Sequence, residues 1–126
     1  MPRTTTRVKT PTPPKLKKGE IYAGLTLHQG KPCHLVLLPG HDNLNHAAAG
    51  TWAKDKGGEL PSRVDALLLW ENPKTRKAIG SCWMWTSQTH AHNDASAWFQ
   101  SFFNGLQSYD PKDNDYRARA VRRVPI

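Results

Sequence analysis

Hydrophobic and polar positions change period twice along the chain. Ile21-Tyr22-Ala23-Gly24-Leu25-Thr26-Leu27-His28 is β-prone, Gln29-Gly30 is a turn, and His34–Leu38 is a continuous apolar run. A run without alternation suits a strand covered on both faces, so Glu20–Leu38 is predicted to form a hairpin that Pro39-Gly40 stops. The period then lengthens. Leu44, Ala48 and Trp52 recur every fourth residue with Ala47 beside them. That stripe predicts a helix capped by Asn43 or Asn45 and closed by Gly57-Gly58. Leu60-Pro61-Ser62-Arg63-Val64-Asp65 opens a second helix, with Ser62 as the cap and Asp65 completing a short capping box. Val64, Leu67 and Leu68 form its apolar stripe, and Pro73 ends it.

From Ser81 onward the pattern is that of strands. Trp83 and Trp85 share one face of a strand. Trp98, Gln100 and Phe102 share a face of another, with Phe99 and Phe103 opposite. Asn104-Gly105 is a hairpin turn signal. Gln107–Tyr109 follows it, and Arg117–Val124 closes the chain. In that last run Ala118 and Ala120 point one way while Arg119, Val121 and Arg123 point the other. The expected class is α+β: an N-terminal hairpin, two helices, then a twisted antiparallel sheet closed by the C-terminal strand, with the terminal strands free to meet.

Composition narrows the function classes. A chain of 126 residues is one domain in size and can bury a core. No apolar run reaches the roughly 20 residues of a membrane helix, and Met1–Lys18 lacks the apolar centre of a secretory signal. Host cytoplasm, or association with a virion, is the expected location. Two cysteines and no CxxC rule out a disulfide scaffold or a zinc finger. The formal charge of +8 is uneven. Residues 1–19 carry +6, residues 20–116 carry −2 and residues 117–126 carry +4. Residues 1–18, rich in threonine, proline and lysine, read as an arm that is flexible or docks on a partner. Its basic residues are Arg3, Arg7, Lys9, Lys15, Lys17 and Lys18. Residues 19–126 form the single domain. The arginines of the last strand are expected to pair with Asp110, Asp113 or Asp115.

Several strings together resemble a known family. They are Gly19-Glu20-Ile21-Tyr22-Ala23-Gly24-Leu25, His34-Leu35-Val36-Leu37-Leu38-Pro39-Gly40, Gly57-Gly58-Glu59-Leu60-Pro61-Ser62-Arg63 and Trp83-Met84-Trp85-Thr86-Ser87. Ala97-Trp98-Phe99-Gln100-Ser101-Phe102, Gly105-Leu106-Gln107 and Arg117-Ala118-Arg119-Ala120-Val121-Arg122-Arg123 complete the set. In this order they resemble small phage and prophage proteins of the domain-of-unknown-function family grouped with the C-terminal domain of the Legionella collagen-like adhesin. The resemblance covers residues 19–124 and implies a C-type-lectin-like fold, related to the formylglycine-generating-enzyme type. In that fold the Leu60-Pro61-Ser62-Arg63 segment opens the second helix, the tryptophans pack the core and the late loops and strands face a ligand. Glu71-Asn72-Pro73 departs from the calcium-lectin loop order, and Asn93-Asp94 lacks the preceding tryptophan. Cys33 and Cys82 do not match the late copper-binding pair of the formylglycine-generating enzymes.

Candidate chemistry is sparse. His90, His92 and Asp94 alternate and would share one face of an extended segment, a set that could hold a transition metal. A polar loop with solvated histidines is the stronger reading for so short a motif. His41 and His46 suit a turn and a helix start. Cys33 and His34 are neighbours on a strand and point apart. No nucleophile elbow, phosphate loop or dinucleotide fingerprint occurs, so neither catalysis nor a cofactor is expected. The aromatic block is more informative, because eight of eleven aromatics fall between Trp83 and Tyr116, interleaved with amides and charges. That is the composition of a recognition surface, although a core or an oligomer interface would read alike. The expectation is a non-catalytic phage-type binding module with Trp98, Gln100, Phe103, Gln107, Tyr109 and Tyr116 as contacts. A protein ligand is expected ahead of a glycan. Two alternatives are an intracellular phage inhibitor of a host defence or regulatory complex, and a nucleic-acid binder that uses the arm.

Overall fold

The first hairpin forms where its pattern places it. In the computed structural model, which describes residues 11–126, β1 (Ile21–His28) and β2 (Lys31–Leu37) pair antiparallel. Gln29 and Gly30 between them both take left-handed backbone, with φ of 53° and 76°. Two successive positive φ values make the turn whose twist matches antiparallel strands. β2 is central in its sheet, and Leu35, Val36 and Leu37 are fully buried. Leu35 and Leu37 enter one core cluster while Val36 and Leu38 enter a second, so both faces of the apolar run are covered.

A short β3 (Asp42–Leu44) leads into α1 (His46–Asp55). Asn45 is the cap, and its side chain accepts from Ala48 N at 2.9 Å. The helix buries Ala49 and Ala53, with Trp52 at the margin of the cluster. In α2 (Arg63–Glu71), Ser62 and Asp65 make the reciprocal capping box. The buried face of α2 is Asp65, Ala66 and Leu69, whereas Val64 and Leu67 are exposed, so the predicted stripe is rotated. A carboxylate occupies the inward face. Asp65 Oδ1 accepts from Thr26 Oγ1 at 2.6 Å, and Oδ2 accepts from Arg123 Nη2 at 2.5 Å and from Ser62 N at 2.9 Å.

Pro73 does not end the helical region. It opens a third helix, α3 (Pro73–Ile79), capped by Asn72 onto Lys74 N at 3.0 Å. Proline at a first helical position gives up an amide hydrogen that would have no partner there. Thr75 is buried, and its hydroxyl donates to Leu69 O at 2.7 Å, tying α3 to α2.

The late region folds as β4 (Trp83–His90), β5 (Asn93–Ser101), β6 (Gln107–Pro111), β7 (Tyr116–Ala118) and β8 (Val121–Pro125). The architecture is α+β. Two sheets form, and the late one is not closed by the C-terminal strand as expected, because β8 joins the N-terminal hairpin instead. One has the order β1-β2-β8 and the other β3-β7-β4-β5-β6. The second is mixed, because β7 runs parallel to β4. The predicted last strand is divided between them. Ala120 O accepts from Leu38 N at 2.9 Å and Arg119 Nη2 donates to Leu38 O at 3.1 Å, which holds the chain at the crossing. The terminal strands β1 and β8 flank β2 rather than pairing with each other. Among the described residues no helix is long and apolar enough to cross a membrane.

Candidate functional site

The pairing of β5 with β6 sets Trp98 opposite Tyr109 and Gln100 opposite Gln107. Met84 lies opposite Gln100 on β4 and belongs to the core cluster beneath α2, so all five share the α2 side of the sheet. The start of α2 reaches over this front face. The Arg63 guanidinium carbon sits 3.6 Å from the centre of the Trp98 ring. Arg63 Nε donates to Gln107 Oε1 at 2.9 Å, and Gln107 Nε2 donates back to Arg63 O at 2.8 Å. Gln107 Nε2 also donates to Gln100 Oε1 at 3.0 Å. Gln100 in turn donates to Ser101 O at 3.1 Å and Leu106 O at 3.3 Å. Arg63 N donates to Gln88 Oε1 at 3.0 Å.

Beside this amide chain stands an aromatic group. The His90 ring is 4.0 Å from Tyr109 and 5.4 Å from Trp98, nearly parallel to the latter. Tyr109 is 48% exposed and Trp98 partly exposed. The surface is therefore a cluster of aromatic rings tilted against one another, with the Arg63 guanidinium laid on Trp98 and tied through Gln107 to the fully buried Gln100. Rigid aromatics with a stacked arginine are the side chains that dominate recognition energetics.

Of the six sequence-predicted contacts, four lie here. Trp98, Gln107 and Tyr109 line the front face. Gln100 is fully buried and serves as the internal anchor of Gln107. Phe103 and Tyr116 lie on the opposite face, with Trp83 and Phe99. Phe103 is 64% exposed, and its ring is 6.3 Å from Trp83. Tyr116 packs 4.7 Å from Trp85 and 5.5 Å from Trp83, and its hydroxyl donates to Asp110. Burial, followed by the Asp110 carboxylate, pushes the Tyr116 phenol up to about 12. Trp85 is buried and donates to Leu44 O at 2.9 Å, whereas Trp83, expected in the core, is 46% exposed.

His90, His92 and Asp94 do not form a ligand set. A tight turn at Ala91 and His92 breaks the alternation that would align them. His90 Nδ1 accepts from His92 N at 3.2 Å while its ring lies in the aromatic cluster. Among the described residues no three metal-ligating side chains converge. Cys33 and Cys82 are both buried, and burial pushes both thiols up, away from the reactive thiolate. His34 turns from Cys33 and lies 2.8 Å from the Tyr22 hydroxyl. His46 begins α1, bonds to Thr86 O at 2.8 Å, and is held below the usual imidazole range by burial.

The basic ends are placed differently from expectation. Arg122 pairs with Glu20 at 2.9 Å, and Arg123 pairs with Asp65 and with Glu59, so neither joins Asp110, Asp113 or Asp115. Arg117 donates to Asn43 at 3.1 Å. Arg119 is buried against Leu38 O and Ala78 O. Of the arm's basic residues, Lys15, Lys17 and Lys18 are exposed, and Arg3, Arg7 and Lys9 lie outside the described residues. Lys17, Lys18, Lys56 and Arg122 line a cleft of about 350 Å³ beside Glu20.

Sequence reading missed Arg63 and Trp83 as surface features and missed the packing of His90 on Trp98 and Tyr109. Arg63 carried a weak signal, since a long basic side chain in the first turn of a helix usually keeps its charged end at the surface. Searches against family models, characterised proteins and solved structures return no match to this chain.

Proposed function

We propose that this protein is a non-catalytic binding module, C-type-lectin-like in architecture, that recognises a protein partner through the front face of β5 and β6. The observation that carries this reading is the partly exposed Trp98–His90–Tyr109 cluster, with Arg63 laid on Trp98 and tied through Gln107 to the buried Gln100. A surface that only closed a core would hide its rings, and a merely solvated one would not lay an arginine on them and tie it through Gln107 to a buried amide. A partly exposed aromatic cluster with few free polar groups suits a protein side chain better than a glycan, which needs convergent hydrogen-bond donors and acceptors around each ring.

Tyr109→Ala tests it. The change removes an exposed ring that makes no side-chain hydrogen bond among the described residues. Affinity for the captured partner is expected to fall about tenfold or more, with a melting temperature shift of only a few degrees. Equal loss of fold and binding would contradict the reading. An intracellular inhibitor of a host complex is the second reading, favoured by the cationic cleft at Lys17, Lys18, Lys56 and Arg122, which suits an acidic partner.

A further inference from the structure

Arg63 differs from the arginines of the last strand. Arg122 and Arg123 face carboxylates, and Arg117 and Arg119 face an amide and two carbonyls. Arg63 spends only Nε, on Gln107 at 2.9 Å. Among the described residues its two Nη groups meet no acceptor and no carboxylate pairs with it. The guanidinium plane is nevertheless held, by Trp98 at 3.6 Å on one side and by Gln107 at one edge. What remains is the fork formed by Nη1 and Nη2. An oriented, weakly hydrated fork matches the two oxygens of a carboxylate. Little side-chain entropy is left to lose when one arrives.

We propose that Arg63 receives a carboxylate of the protein partner, an Asp or Glu in an extended segment running along β6, with the neighbouring partner side chain on Tyr109 and Trp98. This rests on the front face being the recognition surface. Because β6 is the outer strand of its sheet, an extended segment has an open edge to follow. One guanidinium on a mostly aromatic cluster matches the single charge of a carboxylate, whereas a phosphoserine dianion would call for a second cation.

An array of random eight-residue peptides, probed with the full purified chain at physiological salt, tests this. A parallel array carries phosphoserine at random positions. Peptides whose binding depends on Tyr109 are expected to be enriched in Asp or Glu. Changing that acid to Asn in the peptide is expected to weaken binding to the unaltered protein tenfold or more. Arg63→Gln and Arg63→Lys should show the same loss, the latter because an ammonium lacks the planar fork. The peptide change needs no protein variant, so a folding defect in Arg63→Gln cannot imitate the result. Tyr109-dependent peptides without acid enrichment would overturn the Arg63 proposal and leave the face standing. A preference for phosphoserine would also overturn it. Acidic peptides indifferent to both Tyr109→Ala and Arg63→Gln would place binding on the basic arm and overturn the face itself, as would the absence of any Tyr109-dependent peptide.

Discussion

Asp65 and Arg123 show how single side chains decide this structure. Asp65 is fully buried and takes hydrogen bonds from Thr26, Ser62 and Arg123, so its charge is met on three sides. Removing one partner of a buried pair leaves the other unmatched. Asp65→Ala is therefore expected to lower the unfolding free energy by about 3–5 kcal/mol in urea titration, and a loss below about 1 kcal/mol would contradict this role. Tyr116 gives a pH signature. Its folded phenol sits at about 12, above the ordinary 10, so its neutral form is favoured in the folded state. The associated stability is present below pH 10 and is lost as pH rises toward 12. Absorbance titration of tyrosinate should show a late step near 12 that Tyr116→Phe abolishes. Glu20 behaves in the opposite sense. Arg122 holds its carboxyl below the usual 4.5, so that stability is present above pH 4.5 and is lost as pH falls below it. Glu20→Gln should flatten the acid limb of a stability profile.

The elements differ in how plainly the chain announces them. The β1–β2 hairpin was legible because a β-prone segment, a Gln29-Gly30 turn and an unbroken apolar run all agree. The capping box of α2 was legible because it needs only Ser62 and Asp65. The inward face of α2 was not. A hydrophobic stripe through Val64 and Leu67 looks like a core, yet Asp65 takes the inward position because Arg123, distant in sequence, is there to meet it. Leu69→Ala is expected to cost about 2–5 kcal/mol, while Val64→Lys and Leu67→Lys should each stay within about 0.5 kcal/mol. Urea melts of the three variants distinguish the two stripes. The α3 helix was hidden because it is short and polar and begins with a proline that is also a plausible stop. The division of the last strand depends on Leu38 and Ala120 meeting across the fold, which no local pattern contains.

At the scale of the molecule, the aromatic block separates into two faces. The late strands were legible as strands, and the alternation of Trp98, Phe99 and Gln100 even assigned sides. What the alternation could not tell was which rings the helices would cover. The first core cluster lies beneath α2, and the start of that helix lays Arg63 on the part-exposed Trp98 and leaves Tyr109 open. Behind the sheet, Trp83, Phe99 and Tyr116 pack on one another, and Phe103 stands at the rim. The net charge of +8 also divides. Much of the C-terminal share is consumed by Glu20, Glu59 and Asp65, leaving the arm and its cleft as the separable cationic feature. Deletion of residues 1–18 should therefore reduce the salt sensitivity of partner affinity and spare the part that Arg63 and Tyr109 supply.

Site-specific photo-crosslinking addresses the front face most directly. A photoreactive phenylalanine analogue replaces Tyr109 in one protein and Phe103 in another, and each is irradiated in cell lysate. A protease-sensitive adduct formed from position 109 and absent from position 103 is the predicted result. Adducts from position 103 alone, or a nuclease-sensitive adduct from position 109, would contradict the account.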